Sequence, residues 1–277
     1  MVLRVEDLDT ARCPRRYAEQ MIEDLRWLGL LWDEGPDVGG PNGPYFQSER
    51  TALYQAALER LEEQGLVYPC FCTRAELHAA SAPHREDGQV IYPGTCRDLT
   101  PAQAAAKARE SGRSPALRIR VPDRETAFTD GHMGRYEENL ARDCGDFLLR
   151  RSDGMFAYQL AVVVDDAAMG VNQVVRGSDL LSSTPRQIYL QRLLGLPEPE
   201  YGHVPLLLSA DGRRLAKRDR DQELGELQSR YTAPELLGRL AHRAGLIPEP
   251  APITAQELIP LFSWEKLPRE DLKMEKF

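Results

Sequence analysis

Three cysteines offer the first chemistry in this chain of 277 residues. Cys70 and Cys72 stand two apart, and Cys96 follows on a Pro-Gly turn in YPCFCTRAELHAASAPHREDGQVIYPGTC. Thiolates at that spacing, with a loop between two ligand-bearing turns, suit a structural zinc site, which needs four ligands. The fourth ligand is open among His78, His84, Tyr92 and neighbouring carboxylates, with histidine the ordinary chemical choice. The plainer reading is three buried free thiols, since cysteine packs as a small hydrophobe. The total of five cysteines is odd, which argues against a disulfide framework.

A second group of residues suits a small charged ligand. Arg176 closes the apolar run NQVVRG, and a strand-end guanidinium matches a carboxylate or phosphate in planar geometry. Its plainer role is an ion pair with a nearby acid such as Asp179. Glu6, at the end of an alternating segment, can accept from a substrate ammonium or simply serve a turn. Tyr158 in MFAYQLAVVVDD is either a core aromatic or a hydroxyl at a site. Asp165 and Asp166 are adjacent on one predicted helix, so only one of them faces the site. The run GRRLAKRDRD carries Arg213, Arg214, Lys217, Arg218 and Arg220, the chain's clearest basic stretch. No Ser-His-Asp triad, G-x-G-x-x-G turn or Walker loop is found.

These residues need elements to hold them. Leu3, Val5 and Leu8 alternate with charged residues as a strand running into an acidic turn. CPRRYAEQMIEDLRWLGL places Tyr17, Met21, Leu25 and Leu28 on one helical face. SERTALYQAALERLEEQG does the same with Leu53, Ala57 and Leu61, and Gly65 stops it. Residues from about 68 to 115 read as an irregular insertion. ALRIRV is a strand, Ser152-Asp153-Gly154 a hairpin turn, GVNQVVRG a strand and HVPLLLS another. SSTPRQIYLQRLLG is a helix capped by Ser182 or Ser183, with Pro185 in its first turn. TAPELLGRLAHRAGL is a helix with Thr232 as its cap. Strand–helix alternation predicts an α/β fold with a parallel sheet, whose ligands gather at the carboxyl ends of the strands. That gathers Glu6, Arg176 and the loop after Leu208.

Net charge is −8 and the hydrophobic fraction 42%, enough for a sizeable core. An acidic protein binds nucleic acid only through a local basic surface. No run approaches the ~18 apolar residues of a membrane span, and the N-terminus lacks the pattern of a signal peptide, so a cytoplasmic protein is expected.

The segments RVEDLDTAR, YFQSER, YPCFCTRAEL, YPGTCR, GDFLLRRSDGMFAYQLAVVVDDAAMGV and VVRGSDLLSSTPRQIYLQRLLGLPEPEYGHVPLLLSADGRRLAKR resemble the glutamyl-tRNA synthetase family of class I synthetases. The cysteine insertion and the short C-terminus are most similar to the branch that charges queuosine in tRNA(Asp). The resemblance runs from about residue 2 to 220. It implies a Rossmann-like parallel sheet in two parts (1–67 and 116–220), a zinc-bearing insertion (68–115) and a helical tail (221–277). It further implies a monomer that uses L-glutamate, ATP with magnesium, queuosine-bearing tRNA(Asp) and one structural zinc.

By the same resemblance Glu6 holds the substrate's ammonium, Tyr158 and Arg176 its carboxylates, and Cys70, Cys72, Tyr92 and Cys96 the zinc. Residues 214–218, RLAKR, match the Lys-Met-Ser-Lys-Ser loop, with Lys217 on the pyrophosphate of ATP. Here Arg214 replaces the first lysine and Ala216 the serine. The family's opening strand and its His-x-Gly-His motif have no match. The resemblance therefore implies a chain entering at the family's second strand, through a late start or a truncation, with little pyrophosphate exchange of its own. Two other readings remain: a fragment of an ordinary glutamyl-tRNA synthetase, and a zinc-stabilised binding protein without catalysis.

Overall fold

A computed structural model of the chain describes residues 1–79, 91–209, 211–213 and 224–274. The elements run α1 (Arg15–Trp27), α2 (Thr51–Glu63), β1 (Val67–Cys70), α3 (Arg74–Ala79), α4 (Pro101–Ser111), β2 (Ala116–Ile119), β3 (Glu125–Asp130), β4 (Gly134–Asn139), α5 (Leu140–Asp143) and β5 (Leu148–Arg150). They continue with α6 (Tyr158–Ala168), β6 (Gln173–Gly177), α7 (Thr184–Leu194), β7 (Glu200–Val204), β8 (Leu207–Ser209), α8 (Leu224–Arg230), α9 (Ala233–Arg243), α10 (Ala255–Leu258) and β9 (Leu272–Met274). No described helix is long and apolar enough to cross a membrane.

Parallel pairing is present in short pieces. β6 pairs with β7 in parallel, Arg176 opposite His203. β8 pairs with β9 in the same sense. The N-terminal segment forms two parallel bridges, Val2 to Glu34 and Val5 to Phe46, rather than the full strand its alternation predicts. Backbone bonds from Leu3 to Glu34 and from Val5 to Tyr45, each 2.8 Å, hold it in place. The other sheets are antiparallel: β1-β2-β5 and the β3–β4 hairpin.

The main core lies between α2, α6 and α7 and the β2–β5 pair, around Tyr54, Leu58, Ile119, Leu149, Leu160 and Leu190. α6 is buried on several faces. Three consecutive valines weaken its intrinsic helix preference, and burial on so many sides overrides it. The fully buried Asp165 accepts from Gln47 Nε2 at 2.9 Å, Arg50 Nε at 2.6 Å and the Tyr54 hydroxyl at 2.7 Å. One carboxylate thus ties α6 to α2 and the turn before it.

Three expectations need correction. α1 docks through Ala18 and Ile22, while Tyr17 is 53% exposed and Met21 lies outside as well. Ala18 packs with Val5 and Phe46, where a small residue lets the helix approach closely. The stretch 68–115 is not irregular throughout. It starts within β1 and contains α4, held by a Thr100–Gln103 capping box and a left-handed Gly112. α7 begins at Thr184 with Pro185 in its first turn, but Ser183 makes no side-chain cap and instead accepts from Gln159 at 3.0 Å. The Thr232 cap of α9 is formed, with Glu235 completing the box.

Replacing Asp165 by alanine strands the buried Arg50 guanidinium, so urea unfolding is expected to show a loss of about 3–5 kcal/mol. Tyr54→Phe removes one hydroxyl from the same carboxylate and is expected to cost about 1 kcal/mol. An unchanged unfolding midpoint in the alanine variant would contradict this role.

Candidate active site and metal centre

The residues with charged chemistry meet at the ends of the N-terminal segment, α6 and β6. Asp166 points away from the Asp165 hub, as consecutive helical residues must. It accepts from Arg4 Nη1 at 2.7 Å. Arg4 also reaches Glu6 Oε1 at 3.4 Å, and its Nε stands 3.7 Å from Asp165 Oδ2. Glu6 therefore shares one guanidinium with two other carboxylates. Its side chain is 43% exposed at its outer edge, yet partial burial raises its pKa. Arg4 opposes that shift, and Asp166 and Asp165 add to it. Asp166 is likewise raised by burial against the pull of Arg4.

Opposite this acidic group lie Tyr158 and Arg176. Tyr158 is the first residue of α6, and its hydroxyl accepts from Arg176 Nη1 at 3.4 Å. Burial raises the Tyr158 pKa, Arg176 lowers it, and Glu6 and Asp166 raise it further. The hydroxyl thus stays protonated, within electrostatic reach of both the arginine and the carboxylates. Arg176 also donates to His203 Nε2 at 3.0 Å and to Thr184 Oγ1 at 2.8 Å. Glu6 and Asp166 gather on Arg4, whereas Arg176 lies beside Tyr158, whose hydroxyl is within electrostatic reach of both carboxylates. Carboxylates on one side and a guanidinium on the other suit a small molecule carrying an ammonium and carboxylates.

The cysteine cluster forms in the insertion. The sulfurs of Cys70, Cys72 and Cys96 all lie within 4.8 Å of one another. The Cys72–Cys96 separation is 3.7 Å. Sulfur ligands on a tetrahedron with Zn–S of about 2.3 Å stand about 3.8 Å apart, so the donor set fits zinc. The Tyr92 hydroxyl is 3.5 Å from Cys70 Sγ and accepts from the Cys96 amide at 2.8 Å. Gly145, at φ +70°, lets the Tyr92 backbone approach; a Cβ there would collide with it. Burial pushes the Cys72 thiol up to about 12, with the neighbouring Cys70 adding to the shift. Such a thiol stays protonated on its own, and a cation shared by the three sulfurs would let them bind it as thiolates. His84 and the Lys217 loop lie outside the described residues.

A family described as tRNA synthetases class I (E and Q), catalytic domain, matches residues 1–274. The chain belongs to this family. It is 53% identical to the Glutamyl-Q tRNA(Asp) synthetase of Symbiobacterium thermophilum over 99% of this chain and 85% of that one. It is also 53% identical to the protein of the same name from Nitratidesulfovibrio vulgaris, over 98% and 84%. Among solved structures, the glutamate tRNA ligase of Elizabethkingia meningosepticum in complex with its amino acid aligns with a TM-score of 0.80 at 26% identity. That alignment covers 99% of this chain and 60% of the ligase.

Arg176 bonds Tyr158, and Glu6 lies within electrostatic reach of that tyrosine. Arg4, Thr184 and His203 are partners of these residues that sequence reasoning missed, as is Asp130, which holds His203. Arg4 sits two residues before Glu6 and so shares its face of an extended segment, a visible signal. His203 is adjacent to Arg176 only through the β6–β7 register, which no local pattern gives.

A carboxylate whose folded pKa is raised opposes folding when ionised. That cost is fully present above the raised value and disappears as pH falls through it to the unfolded value. Glu6→Gln is therefore expected to raise the melting temperature at pH 8, with the gain shrinking toward pH 4. A variant that melts below the wild type at pH 8 contradicts the charge arrangement around Arg4.

Proposed function

We propose that the protein activates L-glutamate with ATP and magnesium, releasing pyrophosphate, and transfers the glutamyl group to queuosine in the anticodon of tRNA(Asp). The observation that carries this reading is that Arg176 bonds Tyr158, whose hydroxyl also lies within electrostatic reach of Glu6. Glutamate presents one ammonium and two carboxylates. Glu6 takes the ammonium, relieving its crowding by Asp165 and Asp166. Arg176 and Tyr158 take the carboxylates with charge-assisted bonds. Glutamine or aspartate would leave some of these groups unpaired, and a site built on hydrogen bonds rejects such analogues strongly. In this reading Lys217 stabilises charge developing on the phosphates, and activation proceeds by positioning and electrostatics.

The Glutamyl-Q tRNA(Asp) synthetases named above support the acceptor, because the chain spans most of their length and a smaller part of the glutamate ligase. Recognition of unstacked anticodon-loop bases is the usual mode for sequence-specific RNA binding. Cys70, Cys72, Cys96 and Tyr92 would hold a structural zinc, which braces the insertion and takes no part in the reaction. The favoured fourth ligand is Tyr92, because its oxygen stands beside Cys70 Sγ.

The protein, given ATP and labelled glutamate, is expected to charge queuosine-containing tRNA(Asp) in preference to tRNA(Glu). Preferential charging of tRNA(Glu) would instead make it an ordinary glutamyl-tRNA synthetase. Absence of glutamate-dependent pyrophosphate exchange would overturn the enzymatic reading.

Metal analysis is expected to find about one zinc per chain, the content of a single four-ligand site. Cys72→Ser should lower it. An undiminished zinc content in that variant removes Cys72 from the ligand set.

A further inference from the structure

Beneath Arg176 lies a buried pair of residues to which the proposed reaction assigns nothing. His203 and Asp130 are both almost fully buried, on β7 and at the end of β3. His203 Nδ1 stands 2.6 Å from Asp130 Oδ2, and its Nε2 stands 3.0 Å from Arg176 Nε. Asp130 is itself immobilised. Its Oδ1 accepts from the backbone amides of His132 at 2.9 Å, Met133 at 2.8 Å and His203 at 3.1 Å.

We propose that His203, oriented by Asp130, is a positioning residue that locks Arg176 in the rotation needed to grip a carboxylate of the substrate. The proposal rests on the glutamate-activating reading above. A guanidinium only donates hydrogen bonds, so His203 Nε2 must present its lone pair to Arg176. The imidazole proton then sits on Nδ1 and is donated to Asp130. The other tautomer, or an imidazolium, would set one N–H against another. The order is therefore fixed from the anchored carboxylate through a neutral histidine to the arginine.

The donors of Arg176 show what this leaves for a ligand. A guanidinium has five N–H bonds. Nε–H goes to His203, and Nη2 is turned to Thr184 Oγ1 at 2.8 Å and the Leu180 carbonyl at 3.4 Å. Nη1 directs one N–H to the Tyr158 oxygen at 3.4 Å. Among the described residues one Nη1 N–H is left, next to a tyrosine oxygen that accepts from Arg176 and Gln187, so that its own proton points elsewhere. That N–H is the guanidinium's donor for a carboxylate oxygen. Rotation of the guanidinium about its Cδ–Nε bond would turn it away, and the bond to His203 Nε2 is the contact at the pivot.

Two measurements on the protein test the proposal. In 15N-histidine spectra at pH 7.5, His203 is expected to be neutral and protonated on Nδ1; an Nε2–H tautomer or an imidazolium overturns it. In calorimetric titrations, His203→Ala and His203→Phe are each expected to weaken glutamate binding about tenfold or more, equivalent to about 1.4 kcal/mol, with ATP binding within about twofold of wild type. His203→Gln, whose carboxamide can donate to Asp130 and accept from Arg176, should recover most of the lost affinity. Melting curves identify any variant that fails to fold, and the phenylalanine and glutamine variants keep the comparison between packed side chains. A folded phenylalanine variant that binds glutamate as the wild type does overturns the proposal. Failure of the wild type to bind glutamate overturns the functional reading, and the tautomer measurement then decides the Asp130–His203–Arg176 arrangement alone.

Discussion

The carboxylate of Asp165 is the point on which the arrangement around Arg4 and Glu6 is built. It is fully buried and takes hydrogen bonds from Gln47, Arg50 and Tyr54, with Arg4 Nε at ion-pair distance. A lone ionised carboxylate in that position would be costly to desolvate, and these partners offset the cost only while all of them are in place. The constraint is geometric as well as energetic. It holds the N-terminal segment, the residues leading into α2, and α6 in one arrangement. Asp166, one residue later, is turned away by the helix. There it directs Arg4 at 2.7 Å, and Arg4 in turn sets the position of Glu6. Adjacent acidic residues in one helix thus divide the work between structure and site.

The arrangement that results separates its charged groups by sign. Its acidic side holds Glu6 and Asp166, both of which burial makes harder to ionise. Its basic side holds Arg176, which is turned toward Tyr158, Thr184 and His203. In the proposed reading an amino acid with a second carboxylate supplies the opposite charges to both sides at once. Selectivity then follows from unmet partners more than from shape, because a ligand lacking one charge leaves a buried group unpaired.

Much of this was legible in the sequence where chemistry and local pattern coincide. Arg176 before Gly177, the Cys-x-Cys pair and the adjacent aspartates mark themselves by residue type and spacing. The helix faces were harder to read. In α1 the larger side chains Tyr17 and Met21 suggested the buried face, yet the small Ala18 makes the contact with Val5 and Phe46, and Arg15 covers the Phe46 ring at 3.7 Å. α4 escaped notice because it buries no residue and so has no apolar stripe to detect. Its alanines and its caps form the helix instead. The partners of Arg176 escaped for a different reason. Asp130 and His203 are 73 residues apart, and their meeting depends on strand register, which is a tertiary property.

The stretch around the three cysteines shows how a candidate metal site can be joined to the core without sharing residues with Glu6, Tyr158 and Arg176. Asp146 accepts from the Tyr68 hydroxyl at 2.6 Å, from Arg97 and from the Val121 amide at 2.8 Å. Arg118 donates to the Asp146 carbonyl at 2.6 Å, and its Nε donates to Cys70 Sγ at 3.3 Å. Its guanidinium also lies 3.8 Å over the Tyr92 ring. The anchor between insertion and sheet is therefore a protein carboxylate and a protein guanidinium, both outside the set of sulfurs. A cation among the cysteines would fix the loop ends that carry Cys72 and Cys96, whereas β1 and β2 keep their pairing through their own ladder. Physical coupling from such a cation to Tyr158 and Arg176 would have to pass through Arg118 and β2 into the core. That core is packed around Ile119 and Leu149, which have no space to move independently. A metal held by the cysteines would thus shape the surface around them, while the geometry of Glu6, Tyr158 and Arg176 depends on the Asp165 and Asp130 anchors.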